Sequence, residues 1–158
     1  MERGQEQWGD VGRHDMEELF ELRAYIEQGR YAEALQLVEA MEEMAKDDKI
    51  NKIYSFTVIM LLHLIKKHAE KRTTRSWEYS IWKASRQIRR VNKRRKSGGF
   101  YLSEQELCEV TAEAYPDALR RAALEAFEGQ YTEAQLETML DRDQIQQEAF
   151  GIMMRDQA

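Results

Sequence analysis

Apolar residues recur every three to four positions along most of this chain. Met16, Leu19, Leu22 and Ile26 form the first such series, with Asp15 placed as its N-cap and Gly29 as its stop. A second predicted helix runs from Tyr31 to about Lys46. It carries Ala34, Leu37, Val38, Met41 and Met44 on one side and Glu33, Glu39, Glu42 and Glu43 on the other. Asp47 or Asp48 is expected to cap a third helix that continues to about Lys71. Between Phe56 and Ile65 this helix is apolar nearly all round, the pattern of an element buried on many sides.

Thr73, Thr74 and Ser76 offer caps for a fourth helix near Trp77 to Lys96, which Ser97, Gly98 and Gly99 stop. Ser103 with Glu106 has capping-box spacing and opens a fifth. Pro116 lies inside its apparent run, so it either kinks that helix or starts a new one after Tyr115. Thr132 with Gln135 is a second capping box, followed by Leu136, Met139 and Leu140. No segment alternates apolar and polar residues with β-branched enrichment. The expectation is an all-α, compact single-domain helical bundle of five to seven helices. It divides into a flexible N-terminal arm (1–14, with Trp8 able to dock), a bundle (15–142) and a partly helical C-terminal tail (143–158).

Composition agrees with this. The chain has 158 residues, one proline and eight glycines, and its common residues are good helix formers. Its one cysteine, Cys108, cannot staple the fold, which fits a reducing cytoplasm. The N-terminus lacks the apolar stretch of a signal peptide, and Phe56–Ile65 is about half the ~20 residues that span a bilayer. A cytoplasmic protein with no membrane contact is expected.

Charge changes the picture more than composition does. Residues 66–96 hold thirteen Lys and Arg and two acids, a net +11, in a chain whose total is −5. On a helical projection of ~100° per residue, Trp77, Ile81, Ala84, Ile88 and Val91 fall within about 40° of one line. That stripe faces the core. Lys83, Arg86, Arg89, Arg90, Lys93 and Arg94 fall on the remaining surface, and Tyr79 and Trp82 fall among them. Arg75 stands just before that helix and is counted with the same basic face.

Three readings follow. The cations can meet acids of the same chain, since residues 1–48 and 97–158 each carry a net −9. They can form an interface with another protein or a second copy, because exposed Trp, Tyr and Arg anchor interfaces. They can also track phosphates while Tyr79 or Trp82 stacks on bases, although a pI near 5.4 speaks against a nucleic-acid binder.

Candidates for catalysis or metal binding are sparse. His63 and His68 are five apart, so they point ~140° from each other, and neither follows a glutamate at the di-iron spacing. His63 is expected to be a core histidine with a hydrogen-bond partner, and Cys108 a small buried residue. There is no phosphate-cradling loop and no nucleophile elbow. Gly29-Arg30-Tyr31-Ala32-Glu33-Ala34-Leu35 looks like the turn and second helix of a tetratricopeptide repeat. It recurs in part at Gly129-Gln130-Tyr131-Thr132-Glu133-Ala134, but the offset does not fit that repeat's period, so it is read as helix-start chemistry. No cofactor is expected. A metal protein or enzyme using His63, His68 or Cys108 stands as the remaining alternative.

Several stretches resemble one family. Leu61-Leu62-His63-Leu64-Ile65-Lys66 is followed by Arg75-Ser76-Trp77, Ser80-Ile81 and Ile88. Ala112-Glu113-Ala114-Tyr115, Ala118 and Ala122-Ala123 come next, then Tyr131-Thr132, Gln135-Leu136 and Leu140-Asp141. In order and spacing this resembles the bacterial, largely cyanobacterial, family called domain of unknown function 29, over about residues 16–145. Arg-Ser-Trp-x-x-Ser-Ile after a Leu-Leu-x-His-Leu helix is its most specific part. The resemblance implies an all-helical cytoplasmic domain and carries no established activity. It draws interest to His63, Arg75, Ser76 and Trp77. Each of the last three has a structural role ready: Trp77 fills core, Ser76 caps its helix, and Arg75 pairs with a carboxylate across the bundle. The combined expectation is a non-catalytic helical protein that binds a protein partner or itself through the basic-aromatic face of residues 75–96.

Overall fold

Capping chemistry sets most of the helix starts. The computed structural model describes residues 16–94 and 98–157. Among these lie six α-helices and no strand: α1 (residues 16–27), α2 (Tyr31–Glu70), α3 (Arg75–Asn92), α4 (Glu104–Glu125), α5 (Glu133–Glu137) and α6 (Arg142–Gln157). A short 3-10 turn, Ala126–Gly129, follows α4. Both expected capping boxes form, Ser103 with Glu106 and Thr132 with Gln135. Thr74 caps α3 by accepting from the Trp77 N–H at 3.1 Å, so Ser76 lies inside the helix and is not its cap. The arm (1–14) with Trp8, the Asp15 cap, and Arg95, Lys96 and Ser97 lie outside the described residues.

The chain divides into two units, Met1–Asp47 and Asp48–Ala158. In the first, Gly29 makes the turn between α1 and α2 at φ +71°, where a side chain would be strained. Arg30 covers the Tyr25 ring at 4.7 Å and pairs with Glu33 at 3.5 Å. Asp47 and Asp48 do not cap a new helix. α2 runs through them as one helix of 40 residues, because Asp48 pairs with Lys52 one turn on and helical neighbours hold the backbone.

The second unit contains the core. Ile53, Met60, Leu61, Leu64 and Ile65 of α2 are fully buried with Ile88, Leu107, Tyr115, Leu136, Ile145 and Met153. Burial is nearly all round α2 from Thr57 to Lys66, as the sequence pattern requires. α6 packs against α3 and α4, and α4 against α5. Side-chain bonds tie α2 to its neighbours. Tyr54 donates to the Asp117 carboxylate, His68 Nε2 meets Glu148 at 2.7 Å, and Lys67 meets Glu78 at 2.6 Å.

Pro116 does not restart a helix; α4 continues through it. Proline has no N–H to give to the Ala112 carbonyl, and the Arg142 guanidinium donates to that oxygen at a long 3.5 Å. The same guanidinium lies 4.7 Å from the Tyr115 ring centre. The stretch expected as a partly helical tail forms α6, with Ile145, Ala149 and Met153 buried in the core.

Candidate basic-aromatic interface

α3 has the amphipathic pattern that its sequence sets. Trp77, Ile81, Ala84 and Ile88 are buried and Val91 is half-buried. Ser85 and Asn92 are buried beside that stripe. Asn92 does work that sequence periodicity does not reveal. Its Oδ1 accepts from the Leu102 N–H at 2.7 Å, and its Nδ2 donates to the Leu102 carbonyl at 3.3 Å. Its backbone carbonyl accepts from the Tyr101 N–H at 2.8 Å. These bonds draw the following segment back and end α3 at Asn92, short of the expected Lys96. Lys93 is thus the C-cap, in extended backbone and bridged to Phe100.

The nine residues proposed for this surface, Arg75, Tyr79, Trp82, Lys83, Arg86, Arg89, Arg90, Lys93 and Arg94, are all exposed. Seven of them stand on α3, while Lys93 and Arg94 follow its end. The aromatics are half in solvent, Tyr79 at 57% and Trp82 at 51% exposure. Their ring centres lie 5.9 Å apart. Lys83 lies 6.0 Å from the Tyr79 ring and Arg86 4.9 Å from the Trp82 ring. Trp82, Arg86, Gln87, Arg89, Arg90 and Lys93 line a groove of about 400 Å³. Arg94 covers the Tyr101 ring at 5.2 Å, which Lys49 also approaches at 5.8 Å.

The basic segment splits into two parts by its partners. Lys66 pairs with Glu125 at 3.5 Å, Lys67 with Glu78, and Arg72 with Glu70 at 3.2 Å. Lys66 and Arg72 also lie 4.7 and 4.6 Å from the Trp77 ring centre, so the buried indole is held between cations. The Lys67 ammonium, then the Thr73 hydroxyl, hold the Glu78 carboxyl below the usual carboxylate range. From Lys83 onward the pattern changes. Among the described residues, Lys83, Arg86, Arg89, Arg90, Lys93 and Arg94 have no carboxylate partner, and neither has Arg75. The expected pairing of Arg75 across the bundle is therefore not made.

The other candidates do not converge. His63 Nδ1 is buried without a hydrogen-bond partner among the described residues, contrary to the expected satisfied core histidine. Burial, then the nearby Lys66 ammonium, pulls its pKa down. His68 is engaged by Glu148. Cys108 is exposed instead of buried, because its turn of α4 borders a shallow groove with Asp143, Gln147 and Phe150 of α6. No three of His, Cys, Asp and Glu come together as metal ligands among the described residues. No helix among them is long and apolar enough to cross a membrane.

Fold and surface together define an all-α domain that presents a basic face with exposed aromatics. The sequence model of the family described as Domain of unknown function DUF29 matches residues 22–150, and the chain belongs to that family. The Arg75-Ser76-Trp77 segment and the histidine-bearing stretch of α2 both lie within the match. No curated protein and no solved structure matches the chain.

Proposed function

We propose that this chain is a non-catalytic helical module that binds an acidic protein surface, on a partner or a second copy, through residues 75–94. One observation carries the reading. Six consecutive cations from Lys83 to Arg94 stay in solvent without carboxylate partners among the described residues, although the chain as a whole is acidic. Six charges without carboxylate partners among the described residues, four on α3 and two just after its end, repel one another, and an acidic partner relieves that repulsion. Tyr79 and Trp82 supply the large rigid contact area that interfaces favour, already flanked by Lys83 and Arg86.

Charge reversal at Arg86, Arg90 and Lys93 tests it. Each exposed ion pair contributes about 0.5 kcal/mol, and each reversal adds a repulsion of similar size, so three reversals weaken binding by about 3 kcal/mol, roughly a hundredfold. The probe is a fluorescent glutamate-rich helical peptide titrated at low salt, with helix content followed by circular dichroism. Loss of binding with intact helicity supports the reading; unchanged binding overturns it. The groove of arginines around Trp82 also suits a phosphate backbone with a stacked base. A single-stranded oligonucleotide that binds tightly, with steep salt dependence, while the peptide does not, would replace a protein partner by nucleic acid.

A further inference from the structure

The described part of the first unit is almost all surface. Between residues 16 and 47 Ala34 alone is buried. Met16, Leu19, Phe20, Ile26, Leu35 and Met44 are each more than half exposed. Isolated exposed apolar residues are ordinary, but Met16, Leu19 and Phe20 share one side of α1, and Leu35 shares a side of α2 with Glu39 and Glu42, so exposed apolar and acidic groups stand together for a partner. The same stretch carries nine acids and three bases. The acids rule against the simplest pairing, in which the helix pair of one copy meets the same helix pair of another, because like charges would be pressed together.

The chemistry that fits this surface is basic and aromatic, and the chain carries such a face on α3. We propose that two copies associate head to tail, the acidic apolar helices 16–47 of one copy docking on the basic-aromatic face of α3 in the other. This rests on the function proposed above and names the acidic surface as that of a second copy. Leu19, Phe20 and Leu35 cover Tyr79 and Trp82, while Glu39, Glu42 and Glu43 meet Arg86, Arg90 and Lys93. If both copies dock in this way the contact is made twice and closes as a two-fold dimer. Association weakens with added salt, because much of the attraction is between exposed charges.

The test uses the full chain and two variants, measured by light scattering coupled to size exclusion. One variant carries Arg86→Glu, Arg90→Glu and Lys93→Glu; the other carries Leu19→Asp and Leu35→Asp. Leu19 and Leu35 are exposed, so the core is untouched, and Leu19→Ser with Leu35→Ser serves if the aspartates melt the helices. The parent chain is expected at twice the monomer mass at low salt and each variant at the monomer mass. An equimolar mixture of the two variants recovers part of the doubled mass, because the unaltered helix pair of one meets the unaltered α3 of the other, restoring one of the two contacts. A monomeric parent overturns the inference. So does an α3 variant that still dimerises, which would mean that like helix pairs meet each other, or a mixture that holds no more dimer than either variant alone. A monomeric parent that still binds the glutamate-rich peptide leaves the proposed binding face standing and removes only the second copy as its partner.

Discussion

Replacing Asn92 with alanine isolates the joint that ends α3. The side chain is fully buried and makes two hydrogen bonds to the Leu102 backbone, at 2.7 and 3.3 Å. Alanine leaves the Leu102 N–H and carbonyl buried without that partner. The shorter bond leaves an unsatisfied donor costing about 1–3 kcal/mol, and the longer one adds about 0.5 kcal/mol. A small void adds to this, so the expected loss is about 2–4 kcal/mol. In a chain of this length that lowers Tm by roughly 10 °C. Urea unfolding followed by far-UV circular dichroism measures the loss. Gln87→Ala on the same helix, which touches no such bond, should change stability by less than about 0.5 kcal/mol. Hydrogen exchange gives an independent readout, since the Leu102 amide should exchange faster in the variant before the rest of the core does. A loss below about 1 kcal/mol, or unchanged protection at Leu102, refutes the assignment of this residue as the anchor.

Two further outcomes follow from buried polar groups. Tyr115 is fully buried with its hydroxyl unpartnered among the described residues, and burial, ahead of the nearby Glu137, pushes its pKa up to about 12. Tyr115→Phe should therefore leave stability unchanged or raise it by about 1 kcal/mol in urea unfolding; a loss above that would show a hidden partner. Burial, ahead of Lys66, lowers the His63 pKa below its ordinary 6.5, with Arg121 acting the same way and Glu125 against them. The unfolded chain then binds the proton more readily than the native one, so stability falls as pH drops below 6.5. The urea midpoint should decline less on acidification in His63→Gln than in the parent, and parallel declines would contradict the assignment.

What could be seen in the sequence was local. The two capping boxes involve residues three apart, and the α3 stripe follows helical periodicity, so both appear in the fold as expected. The exposure of Tyr79, Trp82 and the cations follows from the same periodicity. Asp48 has the chemistry of a cap, but the continuation of α2 through it leaves it inside the helix, one turn from its partner Lys52. Features decided by distant partners were not legible. Pro116 carries a breaker signal, yet the carbonyl it leaves bare is met by Arg142 from another helix. Asn92 looks like a polar residue near a helix end, and only its alignment with Leu102 across the turn shows what it holds. Cys108 is small and apolar enough for a core, but its side of α4 faces outward. The split of the basic segment into paired and unpaired halves depends on Glu125 and the Glu78 rotamer, neither of which sequence spacing reveals.

Glu78 is the one acid within α3, and its carboxylate is turned back toward Lys67 and Thr73. The helix consequently keeps no anion of its own beyond its first turns. Small ions from the medium must gather along Lys83 to Arg94 instead, forming a loose cloud of chloride or phosphate over a molecule that carries a net negative charge. Whatever settles on that face first has to displace the cloud, and the freedom regained by those ions becomes part of what drives the encounter.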